Sequence, residues 1–180
     1  MDFADLLHSV NSIEEKYPPV HLWNPDLCEG VEMKIDREGN WFYQGSIIGR
    51  DKLKILFSRI LKFENNRYFL VTPVEKVPVI VDLAPYMIVD YEVDSDQKNI
   101  ILKTNLDLSI PLDQDHKLEV KKIGGEYIPF VHVRNNIEGF ISRSVYYSLI
   151  EIALKQDNVF EGQLSLTSFD CVFDLGNISD

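Results

Sequence analysis

The side chains that could do chemistry in this chain are four histidines, two arginines at helix starts and a few aromatics. His8, His21, His116 and His132 show no HxH, HExxH or paired-cysteine spacing, so the sequence predicts no metal site. His132 and Arg134 stand two apart at the end of a predicted strand, where alternate side chains share a face. As a pair they can bind an anion or polarise a carbonyl; the plain alternative is a strand-end histidine and a surface arginine. Arg143 follows Ser142, an N-cap candidate. At such a helix start, open amides and the macrodipole favour an anion, and a guanidinium adds a bidentate clamp. Arg50 stands at the matching point of an earlier predicted helix. Either arginine can hold the carboxylate or phosphate of a small ligand, or pair with Asp51, Glu75 or another of the 29 acidic residues.

Tyr146 and Tyr147 are neighbours on a predicted helix, about 100° apart, so one is expected to pack inward and Tyr147 to border a groove. Trp41 and Tyr43 share a strand face and could form an aromatic wall, or simply core. Glu75 and Lys76, adjacent and therefore facing opposite ways on a strand, read as a solvated turn or an interdomain salt bridge. No glycine-rich phosphate loop, nucleophile elbow or Cys-His pairing is present. The expectation is no catalytic set, no metal and no cofactor, with ligand contacts from Arg50, His132, Arg134, Arg143 and Tyr147. Whether the chain is an enzyme stays open, because catalytic groups can assemble from distant segments.

These residues need a scaffold, and hydrophobic periodicity supplies one. Phe3, Leu6, Leu7 and Val10 predict a short N-terminal helix ending before Pro18-Pro19; Ser12 with Glu15 mimics a capping box but has no room for a helix. Val31–Ile35 and Trp41–Tyr43 predict a hairpin across turn residues 36–40. Leu53, Leu56, Phe57, Ile60 and Leu61 define one face of a helix. Residues 61–64 and 67–71 flank Asn65-Asn66, the signature of a two-residue hairpin turn, and 77–81 is a further strand. Asp82–Pro85 reads as a boundary, giving domains 1–84 and 85–180. Beyond it, strands at 86–93, 99–104, 118–123 and 126–133 suggest a small antiparallel barrel or sandwich, followed by a helix from Ser142 to about Leu154 and an apolar tail, 160–173, that returns to a sheet. At a constant offset of 93 residues, Gly49-Arg50 and its helix match Ser142-Arg143 and its helix, which suggests a duplicated strand-helix unit. The fold class is α+β in two small domains.

Charge narrows the partners. The formal net charge of −11 repels phosphate backbones and anionic bilayers, so neither nucleic acid nor membrane is expected. Two cysteines, Cys28 and Cys171, are too few for a disulfide framework and read as free thiols. An acidic N-terminus in place of a basic secretory leader, and no apolar run near 18 residues, predict cytoplasmic residence.

Read as strings, Trp23-Asn24-Pro25, Trp41 to Ser46, Ile48-Gly49-Arg50, Arg67 to Lys76, Val131 to Arg134 and Ser142 to Tyr147 resemble one uncharacterised bacterial family, domain of unknown function twelve eighty-five. The resemblance spans about residues 20 to 155. It implies a two-domain α+β protein with duplicated motifs, the second domain similar in outline to a pleckstrin-homology-like barrel with a C-terminal helix. It brings no established reaction; a ligand pocket between the domains and a signalling role are the suggestions attached to it, and fold likeness alone is a weak warrant. The ending here, Phe160–Asp180, departs from the glycine- and aromatic-rich ending of the family. The functional expectation is a noncatalytic module that binds a small apolar or anionic ligand in a mostly apolar interdomain groove. A protein-interaction adaptor is the alternative, and an enzyme using His132 and Arg134 comes third.

Overall fold

The computed structural model describes residues 18–177 apart from Glu29 and Gln97, and of Phe160 only the backbone. The predicted helix at 3–10, the Ser12–Glu15 spacing and His8 fall outside these residues. The chain divides into two compact units, Met1–Pro85 and Tyr86–Asp180. Among the described residues it is mostly β with two α-helices, an α+β arrangement.

The first unit contains β1 (Met33–Ile35), β2 (Trp41–Tyr43), β3 (Ser46–Ile47), α1 (Asp51–Arg59), β4 (Leu61–Glu64), β5 (Arg67–Val71) and β6 (Lys76–Val81), after a 3-10 turn at Val20–Leu22. Strands β1–β3 and β4–β6 are antiparallel meanders. Parallel pairing of β1 with β6, Met33 beside Val79 and Ile35 beside Val81, joins them into a six-stranded sheet of order β3-β2-β1-β6-β5-β4. Local chemistry shapes the turns. Asn65 and Asn66 sit at φ 51° and 58°, the left-handed pair that a two-residue hairpin needs and asparagine tolerates. Across the β1–β2 turn, Asp36 Oδ1 accepts the amides of Glu38 at 3.0 Å and Asn40 at 2.8 Å.

The apolar stripe of α1 runs on to Leu61 in the sequence, but the helix stops at Arg59. The carbonyl of Ile60, the C-cap, accepts the Val71 amide at 2.9 Å and Leu61 opens β4, so both fully buried side chains lie beyond the end of the helix. Within the core, Phe57 of α1 stacks on Trp41 of β2 with ring centroids 6.4 Å apart, and neither is exposed.

The second unit contains β7 (Tyr86–Val93), β8 (Ile100–Thr104), β9 (Ser109–Pro111), β10 (Leu118–Ile123), β11 (Glu126–Arg134), β12 (Ile137–Ile141), α2 (Arg143–Lys155), β13 (Val159–Phe160), β14 (Gln163–Ser168) and β15 (Cys171–Asn177). Its six-stranded sheet runs β10-β11-β12-β7-β8-β9. This sheet is not wholly antiparallel as expected: β12 pairs parallel with β7, Gly139 beside Tyr86. The apolar tail forms a separate antiparallel sheet, β13-β14-β15. It is tied to the end of α2 by Gln156, whose Oε1 accepts the Thr167 amide and whose Nε2 donates to the Thr167 carbonyl, each at 2.9 Å.

Numbered from its own first strand, each six-stranded sheet has the same order, third-second-first-sixth-fifth-fourth. The helices follow another correspondence: β1–β3, α1, β4–β6 and β10–β12, α2, β13–β15 are each a meander, a helix and a meander. The match at the helix starts is one residue out of step, since Arg50 is itself at the N-cap position of α1 whereas Ser142 holds that position in α2, without a side-chain cap bond, and Arg143 is its first helical residue.

Two predictions follow from these joints. A Cβ on Gly139 would lie 3.0 Å from Tyr86 Cβ and 3.2 Å from its carbonyl oxygen. Gly139→Ala is therefore expected to cost about 1–3 kcal/mol in urea unfolding by overpacking the parallel junction. For Asp36, burial opposes ionisation, but hydrogen bonds from the Asn40 side chain and from the Asn40 and Glu38 amides outweigh it and hold the carboxyl below its ordinary value. A depressed carboxyl stabilises the fold above its unfolded pKa, about 4, and loses that contribution as pH falls through the folded value. Asp36→Asn should accordingly lower stability by about 1 kcal/mol at pH 7 and by little at pH 2, read from melts at the two pH values.

Candidate functional site

Tight turns at Gln44-Gly45 and a short β3 bring the chain through Ile48-Gly49 to Arg50, the extended N-cap of α1 at φ −91° and ψ 111°. No side chain caps this helix end. A cavity of about 190 Å³ opens beside it, with Tyr43, Ile47, Ile48 and Leu53 as its apolar wall and Ser46 and Arg50 as polar groups. Asp51, considered above as a partner for Arg50, is paired with Lys54 at 2.7 Å. Of Trp41 and Tyr43, read as an aromatic wall or as core, Tyr43 lines the cavity while Trp41 is buried in the core.

Lys76 opens β6 and pairs with Glu64 of the same unit, which also holds Lys62 at 2.9 Å. It is a strand residue rather than part of a solvated turn, and this pairing lies within the first unit. Burial lowers the Lys76 ammonium from its ordinary value, helped by the charge of Lys62, and its Nζ stands 4.5 Å from the Phe69 ring centre.

The other four predicted residues belong to the second unit. The register of β11 against β12 shifts between His132 and Arg134, leaving an irregularity at the point where a plain strand would simply alternate. His132 pairs with a neighbour that periodicity did not reveal: its ring centre lies 6.3 Å from that of His116. His132 Nδ1 is 2.8 Å from the Asp115 carbonyl oxygen, and its amide donates to the Lys117 carbonyl at 3.0 Å. His116 Nδ1 is 2.9 Å from Asp113 Oδ1, which also accepts the Asp115 and His116 amides at 3.0 Å each. Burial resists ionisation of Asp113, yet these bonds and the His116 ring prevail and hold its carboxyl below the usual range. The Asp113-x-x-His116 spacing was the available sequence signal, an aspartate accepting from the backbone two and three residues on.

Arg134 adjoins the left-handed Asn135-Asn136 turn. Arg143 is exposed on the first turn of α2, and Tyr147, four residues on and therefore on the same helix face, is 58% exposed. Tyr146 turns inward, and its hydroxyl donates to the Leu175 carbonyl at 2.5 Å. Burial raises the Tyr146 pKa, and the charge of Asp174 adds to this.

The second unit also has a polar cavity of about 510 Å³ near Lys98, Lys155 and Asn158, and one of about 290 Å³ where Lys117 and Leu118 face Cys171 and Phe173. Among the described residues, no group of three or more His, Cys, Asp or Glu could hold a metal ion, and no helix is long and apolar enough to cross a membrane.

Fold and site define a two-unit α+β protein of paired meander sheets, each unit with one α-helix among the described residues. Two family models match it, described as "Domain of unknown function (DUF1285), N-terminal domain" over residues 18–84 and "Protein of unknown function (DUF1285), C-terminal domain" over residues 85–175. A crystal structure of a DUF1285 family protein from Silicibacter pomeroyi DSS-3 is 37% identical, with TM-score 0.82 over 97% of this chain and 96% of that one. Another, from Shewanella baltica OS155, is 26% identical, with TM-score 0.57 over 69% of this chain and 94% of that one. No curated protein matches. The chain belongs to the DUF1285 family, whose function is unknown.

The two adjacent tyrosines are expected to respond differently to substitution. Tyr146→Phe strands the Leu175 carbonyl and should cost about 1–2 kcal/mol. Tyr147→Ala, at an exposed site, should stay within about 0.5 kcal/mol of the parent in the same denaturant titration.

Proposed function

We propose that this protein is a noncatalytic ligand-binding module that takes a small molecule with an apolar body and a single anionic head at the start of α1. The observation that carries the reading is the cavity of about 190 Å³ walled by Tyr43, Ile47, Ile48 and Leu53 with Arg50 beside it. An apolar wall desolvates a hydrocarbon body, while the guanidinium and the uncapped helix end complement a carboxylate. The cavity is smaller than the roughly 300 Å³ at which drug-sized sites begin, so the ligand has only a few heavy atoms. A net charge of −11 disfavours polyanions and leaves a singly charged group as the better fit.

In this reading the protein resides in the bacterial cytoplasm. The second unit, with its pleckstrin-homology-like outline and the exposed Arg143 and Tyr147, serves a signalling role by meeting a protein partner.

The test is a thermal-shift series with straight-chain carboxylates from acetate to octanoate, and alcohols of matching length, on the parent and on Arg50→Ala. Carboxylates of intermediate length should raise Tm saturably and the alcohols less so. Arg50→Ala should weaken the carboxylates about tenfold, the loss of one charge-assisted contact. A flat series with the parent, or equal response from Arg50→Ala, removes the reading.

A further inference from the structure

We propose that His116 and His132 form a binding site for a divalent transition-metal ion, Cu2+ ahead of Ni2+ and Zn2+, held through the two Nε2 atoms and completed by water. The spacing of the histidines in the sequence predicted no such site; the fold brings the two rings to 6.3 Å between centres, tilted by 32°. Both rings are oriented from behind. The Asp115 carbonyl can only accept, so His132 carries its proton on Nδ1 at 2.8 Å from that oxygen. The Asp113 carboxylate, 2.9 Å from His116 Nδ1, selects the same tautomer there. Each ring is left with its lone pair on Nε2, and a carbonyl or carboxylate behind the opposite nitrogen is the arrangement typical of metal-ligating histidines.

The supports are themselves fixed. Asp113 is held by the amides of Asp115 and His116, and the His132 amide is bonded to the Lys117 carbonyl. Both rings are partly open to solvent, as an incoming ion requires. The acidic character of the chain and the neighbouring Asp113 and Asp115 favour a cation.

Ring separation chooses among metals. An ion about 2.1 Å from an imidazole nitrogen lies about 3.2 Å from the ring centre, so two rings on one ion can be at most about 6.4 Å apart. The observed 6.3 Å is within that limit, and an ion shared through both Nε2 atoms at that separation would have a wide nitrogen-metal-nitrogen angle. Wide angles suit the tetragonal geometry of Cu2+ and Ni2+, whereas tetrahedral Zn2+ needs the rings about 1 Å closer. With two protein ligands and, among the described residues, no group of three His, Cys, Asp or Glu placed to hold an ion, water fills the remaining positions.

The test is calorimetric titration of the full chain with Cu2+, Ni2+ and Zn2+ salts, with electron paramagnetic resonance of the Cu2+ sample. One equivalent should bind, in the order Cu2+, Ni2+, Zn2+, and the spectrum should show coupling to two imidazole nitrogens. His116→Ala and His132→Ala should each weaken Cu2+ at least tenfold, and His21→Ala should not. Asp113→Asn, which keeps both ligands but removes the carboxylate behind one, should weaken it about tenfold. His132→Gln, compared by thermal melt in the absence of metal, separates a lost ligand from a lost fold. Absence of binding, affinity unchanged in both histidine variants, or a spectrum without two nitrogens overturns the proposal.

Discussion

A single parallel ladder holds each unit together. The strands of the meander β1–β3 are only two or three residues long, and a small sheet needs more strands or a helix on it before it is stable. Joining β1 to β6 puts Met33 and Ile35 beside Val79 and Val81 and makes one surface for Phe57 of α1 to cover through Trp41. In the second unit the same join, β12 to β7, is so close that the residue facing Tyr86 has to be Gly139. The parallel ladder sets the position of α1 as well, and with it the cavity at Arg50, because β3 hands the chain to the helix from the edge of that sheet.

Much of this was legible where local chemistry decides the outcome. Strands at 86–93 and 118–123, the Asn65-Asn66 turn and the helix after Ser142 follow from alternation, left-handed tolerance and apolar spacing. The elements that escaped notice are those in which tertiary contact overrides local preference. β12 contains Gly139, a residue that argues against a strand until its neighbour is known. β9 is three residues long and ends in Pro111; the tail was expected to return to a sheet, but its β14–β15 turn runs through Phe169 at φ 48°, a conformation that no propensity rule assigns to phenylalanine. The parallel pairings could not be read at all, since nothing local announces which strands of two meanders will adjoin.

The site residues divide in the same way. Arg50 and Arg143 could be placed at helix starts because a helix start is a local signal, and Tyr146 and Tyr147 on different faces because adjacent helical positions must diverge. The His116–His132 pair was invisible, for it joins a loop to a strand that lies beyond β10, and only the Asp113-x-x-His116 turn betrayed half of it.

The parallel joins also imply an order of assembly. Hairpins closed by two residues form within microseconds, while pairing Met33 with Val79 or Tyr86 with Gly139 must wait for most of a unit to collapse. Because β6 ends just before β7 begins, the first ladder has all its strands before any of the second has left the ribosome. The sheet β13–β15 emerges after β7 and β12 are both available, so translation delivers it to a unit whose central ladder can already be closed.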